Sequence, residues 1–427
     1  MFDVEWIQHP VGHGGFHTGR ILANCNHQFS WIFDCGSRKT AMFDDFLKRW
    51  TTQNQEPIDW LFISHFDTDH VSGLDTLMSR AKVRDVMVPY VNEQELALQM
   101  LQEIDRGNLD RAFFELVADP AAFFLGRGAE RVTFLRGPRS GGEPTLDSPP
   151  GEGPGDERVW THPSPSPEQL RVPTKFRGSE GRVQLIDGEC NLTVKQRAAN
   201  LLRLKPYRAP IEPRAHRGLV AALRDRDNKK NSSTRGRPGL GDLAFAIGQH
   251  ARTESGRADL RRLFVEYAGS SNRSSLSLLS VPISVHNETD NNSPFWHVTS
   301  PARSRWGKGA KAWINTGDAE LLEPNLGGWK NLYKNELDDV RVFSLPHHGS
   351  DKNSDEKFQE LCHQDAVLTA QVKAGAKKHP GRNVETTARE RLACVTDQAG
   401  TEVRMHFWSS SDRLKARFFA NRLSGVS

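Results

Sequence analysis

A six-residue segment at positions 65–70, with the sequence His-Phe-Asp-Thr-Asp-His, constrains the fold of this chain more than any other feature. It directly follows an apolar run over 60–63, which predicts a buried strand, and a helical pattern begins near Val71. Four side chains that can bind metal therefore lie at a turn from a strand to a helix. A carboxylate at such a turn can also serve only to cap the helix, so the segment alone leaves a purely structural role open.

The spacing of these four side chains suits a pair of divalent cations. In an extended segment, side chains two positions apart face the same way. His65, Asp67 and Asp69 can therefore point into one cleft, and the turn brings His70 in beside them. Two adjacent carboxylates repel each other unless cations lie between them. Two imidazoles and two carboxylates in so small a space suit two cations better than one.

Composition and cysteine usage favour a cytoplasmic protein without a membrane partner. No apolar run approaches the roughly 18 residues that a membrane span needs. The first residues lack the basic and then apolar layout of a signal peptide. The five cysteines are scattered and form no CxxC pair, so we expect reduced thiols in the cytoplasm.

Strand and helix patterns alternate over 1–139 and resume over 241–427, which predicts two halves of one domain. The segment between them, 140–240, is rich in Pro and Gly and predicts a basic, loop-rich insertion. From 171 to 240 it holds 17 Lys and Arg against 6 Asp and Glu, in a chain of net charge +4. Such an excess suits nucleic acid or a protein partner, but it also suits a solvated insert that the charge keeps soluble.

Three further apolar segments end in side chains that can bind metal. The first ends at Asp34 in Asp-Cys-Gly-Ser, the second at Asp318 in Thr-Gly-Asp-Ala-Glu, and the third at the pair His347 and His348 in His-His-Gly-Ser. Ligands commonly bind at the C-terminal ends of strands in open sheets. We therefore expect these side chains to converge with the 65–70 segment. Each alone could be a turn residue, a helix cap or a satisfied histidine pair, and their occurrence together favours a site.

In this combination of motifs, the chain resembles the metallo-β-lactamase superfamily. It is most similar to the branch of ComEC-type DNA-uptake nuclease domains, which carries HxDxDH, followed by the Thr-Gly-Asp and His-His-Gly-Ser segments in this order. Weaker matches are Val-Gly-His-Gly-Gly at 11–15, where the family has a Gly-Gln-Gly-Asp turn, and the His-Pro pair at 379–380. The resemblance covers about 1–135 and 265–427, and it implies an α/β fold, an αββα sandwich of the metallo-β-lactamase type.

The resemblance implies a site for two divalent metal ions, Zn²⁺ or Mn²⁺, or else Mg²⁺. It implies six metal ligands: His65, Asp67, Asp69, His70, Asp318 and His348. The first two would bind one ion, the next two the other, and Asp318 would bridge both while His348 completes the second site. His347 would contact the substrate phosphate or the leaving group, and it is with Asp69 a predicted catalytic residue. The carboxylate at position 67, where a His is commoner, favours hard metals such as Mn²⁺ and Mg²⁺.

Further residues are predicted to support this site or to bind substrate. Three would hold the ligands in place from behind: Asp34, Asn272 and His379. Asn272 stands near a position where many relatives have a metal-binding His, which leaves one ion with fewer ligands, and Gly15 replaces an Asp of the family's first turn. Arg303, Arg305 and Lys308 form a basic turn beside two tryptophans, a composition that suits stacked bases and phosphates. A solvated hairpin is the alternative for that turn.

The resemblance favours a metal-dependent phosphodiesterase or nuclease that cleaves DNA or RNA with a hydroxide activated by two metal ions. Because the fold does not fix the substrate, a hydrolase of a small phosphoester, a cyclic nucleotide, a lactone or a β-lactam is an alternative. A non-catalytic, metal-stabilised module of a larger complex is a second alternative, with the basic insertion as the segment that binds a partner.

Overall fold

Two mixed β-sheets pack face to face, and helices cover the outer face of each. The computed structural model describes residues 2–90, 100, 103, 111–137, 160–161, 181–187, 190–196, 199–209, 253–267, 275–283, 294–301 and 303–409. Over these residues the chain is an αββα sandwich of the metallo-β-lactamase type, which confirms the predicted fold class.

Ten strands form the first sheet: β1 (Phe2–Gln8), β2 (Gly14–Ala23), β3 (Asn26–Ser37), β4 (Ile58–Phe62), β5 (Val83–Pro89), β6 (Arg131–Arg136), β8 (Val183–Asp187), β12 (Phe295–Thr299), β13 (Ser304–Lys308) and β18 (Val403–Trp408). Their order is β13-β12-β18-β1-β2-β3-β4-β5-β6-β8. From β3 to β8 the neighbouring strands are parallel, and from β13 to β3 they are antiparallel.

Eight strands form the second sheet: β7 (Trp160–Thr161), β9 (Leu192–Gln196), β10 (Ala199–Arg208), β11 (Leu276–Pro282), β14 (Ala312–Asn315), β15 (Val340–Ser344), β16 (Val367–Gln371) and β17 (Leu392–Val395). Their order is β17-β16-β15-β14-β11-β10-β9-β7. The four strands from β14 to β17 are parallel, so their C-terminal ends share one edge of this sheet.

The described α-helices are α1 (Thr40–Gln53), α2 (Thr68–Val71), α3 (Leu74–Arg80), α4 (Arg111–Ala118), α5 (Pro120–Gly126), α6 (Glu254–Tyr267), α7 (Asn325–Tyr333), α8 (Glu356–Leu361) and α9 (Arg382–Ala388). Apolar faces of α1 and α3 to α5 pack on the first sheet, and those of α7 to α9 pack on the second. None of the described helices is long and apolar enough to cross a membrane.

The core between the sheets is built from large aromatic and aliphatic side chains of both. Trp6 and Trp31 of the first sheet and Trp313 of the second are fully buried there. Each buried indole contributes on the order of 150–250 Å² of buried surface. This layer fixes the distance between the sheets and therefore the width of the cleft at their shared edge.

Strand β4 shows how the sequence directs the chain to this edge. All five of its residues, Ile-Asp-Trp-Leu-Phe, are buried, because the strand lies between two parallel neighbours and is covered on both faces. A continuous apolar run is the expected sequence of such a strand. The chain leaves β4 at Ser64 and enters the 65–70 segment at the C-terminal end of the strand, where the strand ends of both sheets meet.

The described part of the predicted insertion differs from the expectation of a loop-rich segment. Between 183 and 208 the chain forms β8, β9 and β10, and these strands pair within the two main sheets. The residues over 200–204 are compatible with a strand in the sequence, and they lie within β10, where Arg203 and Lys205 alternate with the buried Leu202 and Leu204. Most of 140–240 lies outside the described residues, so the predicted domain boundaries stay a prediction.

Candidate metal centre

The 65–70 segment is buried at the sheet edge, and its carboxylates do not cap a helix. Asp67 occupies the position before α2, and its side chain makes no capping hydrogen bond. The carboxylate of Asp69 instead accepts a hydrogen bond from Arg38 Nε at 3.0 Å. His65 and His70 are also buried, at 0% and 3% exposure. The segment therefore presents its polar atoms to the interior of the cleft.

A first group of donor atoms comes from His65, His70 and Asp318. One ligand atom of each lies within 4.8 Å of the others. His70 Nε2 is 3.2 Å from Asp318 Oδ1, and His65 Nε2 is 3.6 Å from Asp318 Oδ2. Asp67 Oδ2 lies 3.8 Å from His65 Nε2, at the margin of the same group. His65 follows β4 of the first sheet, His70 lies in α2, and Asp318 follows β14 of the second sheet.

A second group of donor atoms comes from His13, Asp69 and His348, again within 4.8 Å of one another. Asp69 Oδ2 is 3.4 Å from His13 Nε2 and 3.5 Å from His348 Nε2. Asp318 connects the two groups, because its Oδ1 lies 3.7 Å from His348 Nε2 as well as close to His70.

The atoms of both groups fit divalent cations. Among the described residues, five of these buried atoms have no hydrogen-bond partner: His13 Nε2, His65 Nε2, His70 Nε2, His348 Nε2 and Asp318 Oδ1. Buried polar atoms are rarely unsatisfied in folded proteins. Here they converge from several elements with imidazole and carboxylate chemistry, the ligand set that Zn²⁺ and Mn²⁺ bind.

The grouping differs from the predicted one at two residues. His70 was expected beside Asp69, but its Nε2 lies with His65 and Asp318. His13 was not among the predicted site residues, and it stands in the second group instead. The only signal for it in the sequence was the weak match of the 11–15 segment to a turn of the superfamily.

Two further predicted residues, His347 and His379, lie beside the donor groups, His347 near Asp318 and His379 near His13 and His348. His347 Nε2 is 3.6 Å from Asp318 Oδ2, and its side chain is 22% exposed. Its Nδ1 lies 2.9 Å from Asn353 Oδ1, and the Asn353 amide donates to the backbone oxygen of Asp318. The His379 ring stacks on His347, with centroids 5.6 Å apart. Both imidazoles are therefore held near the metal-binding atoms.

Asp34 lies behind the first group and orients it. Its Oδ1 accepts from the Ser64 amide at 2.7 Å, and its Oδ2 accepts from the Ser64 hydroxyl at 2.8 Å. The same Oδ2 is 2.7 Å from His70 Nδ1. A carboxylate bound to one ring nitrogen fixes the tautomer so that the other nitrogen is a free electron donor. His70 Nε2 is thereby directed at Asp318.

Three residues of the site have a backbone conformation that is rare outside glycine. The φ angles are 61° at Asp34, 45° at His347 and 57° at His348. Such conformations cost on the order of 1 kcal/mol or more each and persist where the surrounding structure over-determines them. At His347 and His348 two successive left-handed residues turn both imidazoles toward Asp318. This strain was not visible in the sequence.

The two central carboxylates are held ionised. Burial alone would raise the pKa of Asp69, but the nearby imidazole of His348, at 3.5 Å, and the other positive charges around it hold that pKa well below its usual range. Burial also acts to raise the pKa of Asp318, and the surrounding imidazoles hold it well below its usual range. Both groups are therefore available as anionic ligands at neutral pH.

The histidines of the site differ in the direction in which their surroundings shift the pKa of the imidazole. Burial would lower the pKa of His70, but the carboxylates of Asp318 and Asp34 raise it well above its usual value. The negative charge that favours a proton on His70 also favours a divalent cation there. Because the ring must lose that proton to bind a metal ion, the proton and the cation compete for His70. Burial, with the neighbouring His348, lowers the pKa of His13 to about 2. Burial likewise lowers the pKa of His379 to about 4, so both are neutral.

Gly36 makes the close contact between β3 and α2 possible. An added Cβ there would lie 2.5 Å from the His70 carbonyl carbon and 2.6 Å from that of Asp69. We expect Gly36→Ala to lower the free energy of unfolding by about 1–3 kcal/mol, the usual cost of overpacking, as measured by urea denaturation. Gly126→Ala is the control, because its Cβ would meet no atom within 4 Å. Equal stability of both variants would contradict this account.

The predicted substrate contacts do not lie at the metal centre. Arg303 pairs with Glu390, and Arg305 NH1 is 3.7 Å from Asp365 Oδ1. Glu390 and Asp365 precede β17 and β16, so they lie at the N-terminal ends of parallel strands whose C-terminal ends carry the site. The basic segment is itself the strand β13, with Lys308 and the 70% exposed Trp306 on its outer face. Asn272 lies outside the described residues.

A different basic segment borders the site. The loop over 372–382, Val-Lys-Ala-Gly-Ala-Lys-Lys-His-Pro-Gly-Arg, follows the C-terminal end of β16 and contains four Lys and Arg residues and no Asp or Glu. All four are exposed: Lys373, Lys377, Lys378 and Arg382. The Gly381 amide donates to the Gly349 carbonyl at 2.8 Å, which ties the loop to the His347–His348 turn. Sequence reasoning missed this segment, although its lack of acidic residues was a visible signal.

Comparison with known proteins agrees with the class of the fold. Residues 30–163, less than half of the chain, match the family profile of the metallo-beta-lactamase superfamily. Among solved structures, a long form RNase Z from yeast matches at 8% identity and a TM-score of 0.31, over 87% of this chain and 36% of that one. The chain thus spans little more than a third of that protein, and a likeness this weak supports no statement about its activity. No protein with a curated description matches the chain.

Proposed function

We propose that this protein is a metal-dependent hydrolase that cleaves phosphodiester bonds in nucleic acid. The observation that carries the proposal is the pair of donor groups linked by Asp318, with the cationic 372–382 loop beside them. Two adjacent cation sites suit displacement at phosphorus, where charge builds up on several oxygens at once. The loop supplies the positive charge that an anionic polymer requires.

The proposed metal ligands include five residues of the two groups, with Asp67 at the margin of the first: His65, Asp69, His70, Asp318 and His348. Bound divalent ions would supply Lewis acidity and stabilise the attacking and leaving oxygens. Asp34 keeps His70 oriented, and the Ser64 hydroxyl, 2.9 Å from His65 Nδ1, helps to orient His65. The deep burial of these ligands excludes competing water from them.

His347 is the residue best placed to contact the substrate. It is more exposed than His65, His70 and His348. Its Nδ1–H donates to the Asn353 carbonyl oxygen, since the Asn353 amide nitrogen is engaged with the Asp318 backbone. Its Nε2 lies 3.6 Å from Asp318 Oδ2, beside the donor groups. We propose that it binds the scissile phosphate or the leaving oxygen.

The proposal is tested by cleavage of fluorescent single-stranded and duplex DNA and RNA with Mn²⁺, Zn²⁺ or Mg²⁺. We expect metal-dependent cutting by the wild type, none with EDTA, and none by a His65→Ala/Asp67→Ala double variant. Cleavage of only a small phosphodiester such as bis(p-nitrophenyl) phosphate would show that the substrate is a small phosphodiester and not a nucleic-acid polymer. No metal-dependent hydrolysis of either class would refute the proposal.

The cationic loop gives a second prediction. Lys377→Ala/Lys378→Ala should raise KM for a polymer several-fold and leave kcat little changed, because exposed lysines attract phosphates without contacting the reacting atoms. Each lost phosphate contact should reduce the slope of log affinity against log salt by about 0.7 for a single strand. The matched control is Arg303→Ala/Arg305→Ala, which removes two charges at the opposite end of the second sheet. A larger increase in KM in the control variant would favour the prediction from the sequence that Arg303 and Arg305 bind the substrate.

A further inference from the structure

We infer that His13 is a metal ligand and that the second cation site of this chain consists of His13, Asp69 and His348. This inference rests on the metal centre of the proposed function and extends it. His13 lies in the turn between β1 and β2, far in sequence from the other two residues. The chain would thus complete its site with an imidazole at a position where the superfamily that it resembles has a glutamine.

The contacts of His13 are those of a ligand rather than of a packed core residue. Its Nε2 lies 3.4 Å from Asp69 Oδ2, and its ring centroid is 4.0 Å from that of His348. The side chain is only 9% exposed, yet Nε2 has no hydrogen-bond partner among the described residues. Nε2 of His13 and Nε2 of His348 lie 3.4 and 3.5 Å from the same oxygen of Asp69 and make no hydrogen bond within the described residues, so one divalent cation between them would satisfy all three groups.

The backbone of the turn is built to hold His13 in this place. Gly14 has a φ of 153°, and a Cβ there would lie 2.4 Å from the Gly36 oxygen and 2.6 Å from the Asp69 oxygen. Only glycine lets the turn approach the start of α2 so closely. The His13 carbonyl accepts from the Arg38 amide at 2.9 Å. The Arg38 side chain also donates to Asp69, so Arg38 holds both the turn and the carboxylate in place.

The position of His70 explains why another imidazole is needed. The contact of its Nδ1 with Asp34 directs Nε2 to Asp318 Oδ1, at 3.2 Å, and so into the first group. Asp69 and His348 are then left as the ligands of the second cation that are not shared with the first, since Asp318 lies between the two groups. His13 supplies the third such ligand. His379, whose ring is 5.6 Å from that of His13, belongs to neither group.

Metal content tests this inference without any substrate. We expect elemental analysis and calorimetric titration with Zn²⁺ to give two ions per wild-type chain. His13→Ala should retain one ion, with the second bound at least about 10-fold more weakly. His379→Ala is the control and should retain both. Unfolding of each variant in EDTA, compared with the wild type in EDTA, separates a lost ligand from a misfolded chain.

A second variant reports direct contact. In Co²⁺-loaded His13→Cys, a thiolate-to-metal charge-transfer band should appear, because a thiolate gives that band only when it is bound to the ion. The same substitution at His379 should give none. Two tightly bound ions in His13→Ala together with no band in His13→Cys would overturn the assignment while leaving the proposed function intact. A wild type that binds no divalent ion would instead overturn the proposed function itself.

Discussion

Asp318→Asn should abolish the proposed hydrolysis, with a loss in kcat/KM of about 10³-fold or more. This is at or beyond the upper end of what the removal of one preorganised polar group costs in other enzymes. The substitution keeps the shape of the side chain and removes its negative charge. Initial rates on a fluorescent phosphodiester with saturating Mn²⁺, beside metal content, measure the effect.

The size of this expected loss follows from the contacts of Asp318. Its carboxylate lies within 3.2 to 3.7 Å of four imidazole nitrogens, and the residues that carry them are His65, His70, His347 and His348. It is therefore the one carboxylate, among the described residues, that reaches both donor groups. An amide in its place has one oxygen and no charge, so it cannot serve two cations.

A matched control for this prediction is Asp365→Asn. Asp365 is half exposed, pairs with Arg305 at 3.7 Å, and precedes β16 at the opposite end of the same sheet. Exposed ion pairs of this kind contribute about 0–1 kcal/mol. We expect wild-type rates and two bound ions. If Asp318→Asn kept the activity of the control, the protein would be better described as a non-catalytic module.

Asp34→Ala should lower the free energy of unfolding by about 3–5 kcal/mol, the usual cost of removing one partner of a buried charged pair. The substitution leaves the Ser64 amide and the His70 ring without their acceptor. It also places Ala at a φ of 61°, which Asp tolerates better. The affinity for the first cation should fall about 10- to 100-fold, because His70 loses its orientation. Urea denaturation in EDTA and Zn²⁺ titration measure the two effects.

Asp59→Ala separates these two effects. Asp59 is as buried as Asp34, and it accepts from the Ser30 amide at 2.8 Å and from Arg84 NH1 at 2.7 Å. It lies at the N-terminal end of β4, away from the site. We expect this variant to lose stability and to keep its metal affinity. Weakened metal binding in Asp59→Ala would show that the loss in Asp34→Ala reflects general destabilisation.

Local patterns in the sequence were enough to predict the strands that carry the site, whereas the fold class was implied by the resemblance of the motifs to the metallo-β-lactamase superfamily. Apart from Asp59, strand β4 is apolar, because both of its faces are covered, and a polar segment follows it. Largely apolar strands likewise precede Asp318 at β14 and His347 at β15. Such signals depend on residues that are neighbours in the chain, so they can be read without knowing the rest of the structure.

The roles of single residues depended on contacts between distant parts of the chain. Arg303 and Arg305, which were predicted to bind substrate, lie at the end of the second sheet opposite to the metal-binding residues, because the sequence of a strand does not determine which end of the other sheet its side chains reach. In the basic segment, the residues over 200–204 indicated β10, whereas β8 was not predicted, since its pairing partner β6 lies elsewhere in the chain.

The sequence by itself determined which residues could bind metal and on which strand ends they stand, because apolar periodicity and turn residues are local properties. Only the tertiary structure decided how these residues are grouped. The contact of Asp34 with His70, across 36 residues, turns that ring to Asp318. The packing of the first turn against α2 brings His13 to Asp69. Distances of a few ångströms between side chains from different strands arise from packing, which no local pattern contains.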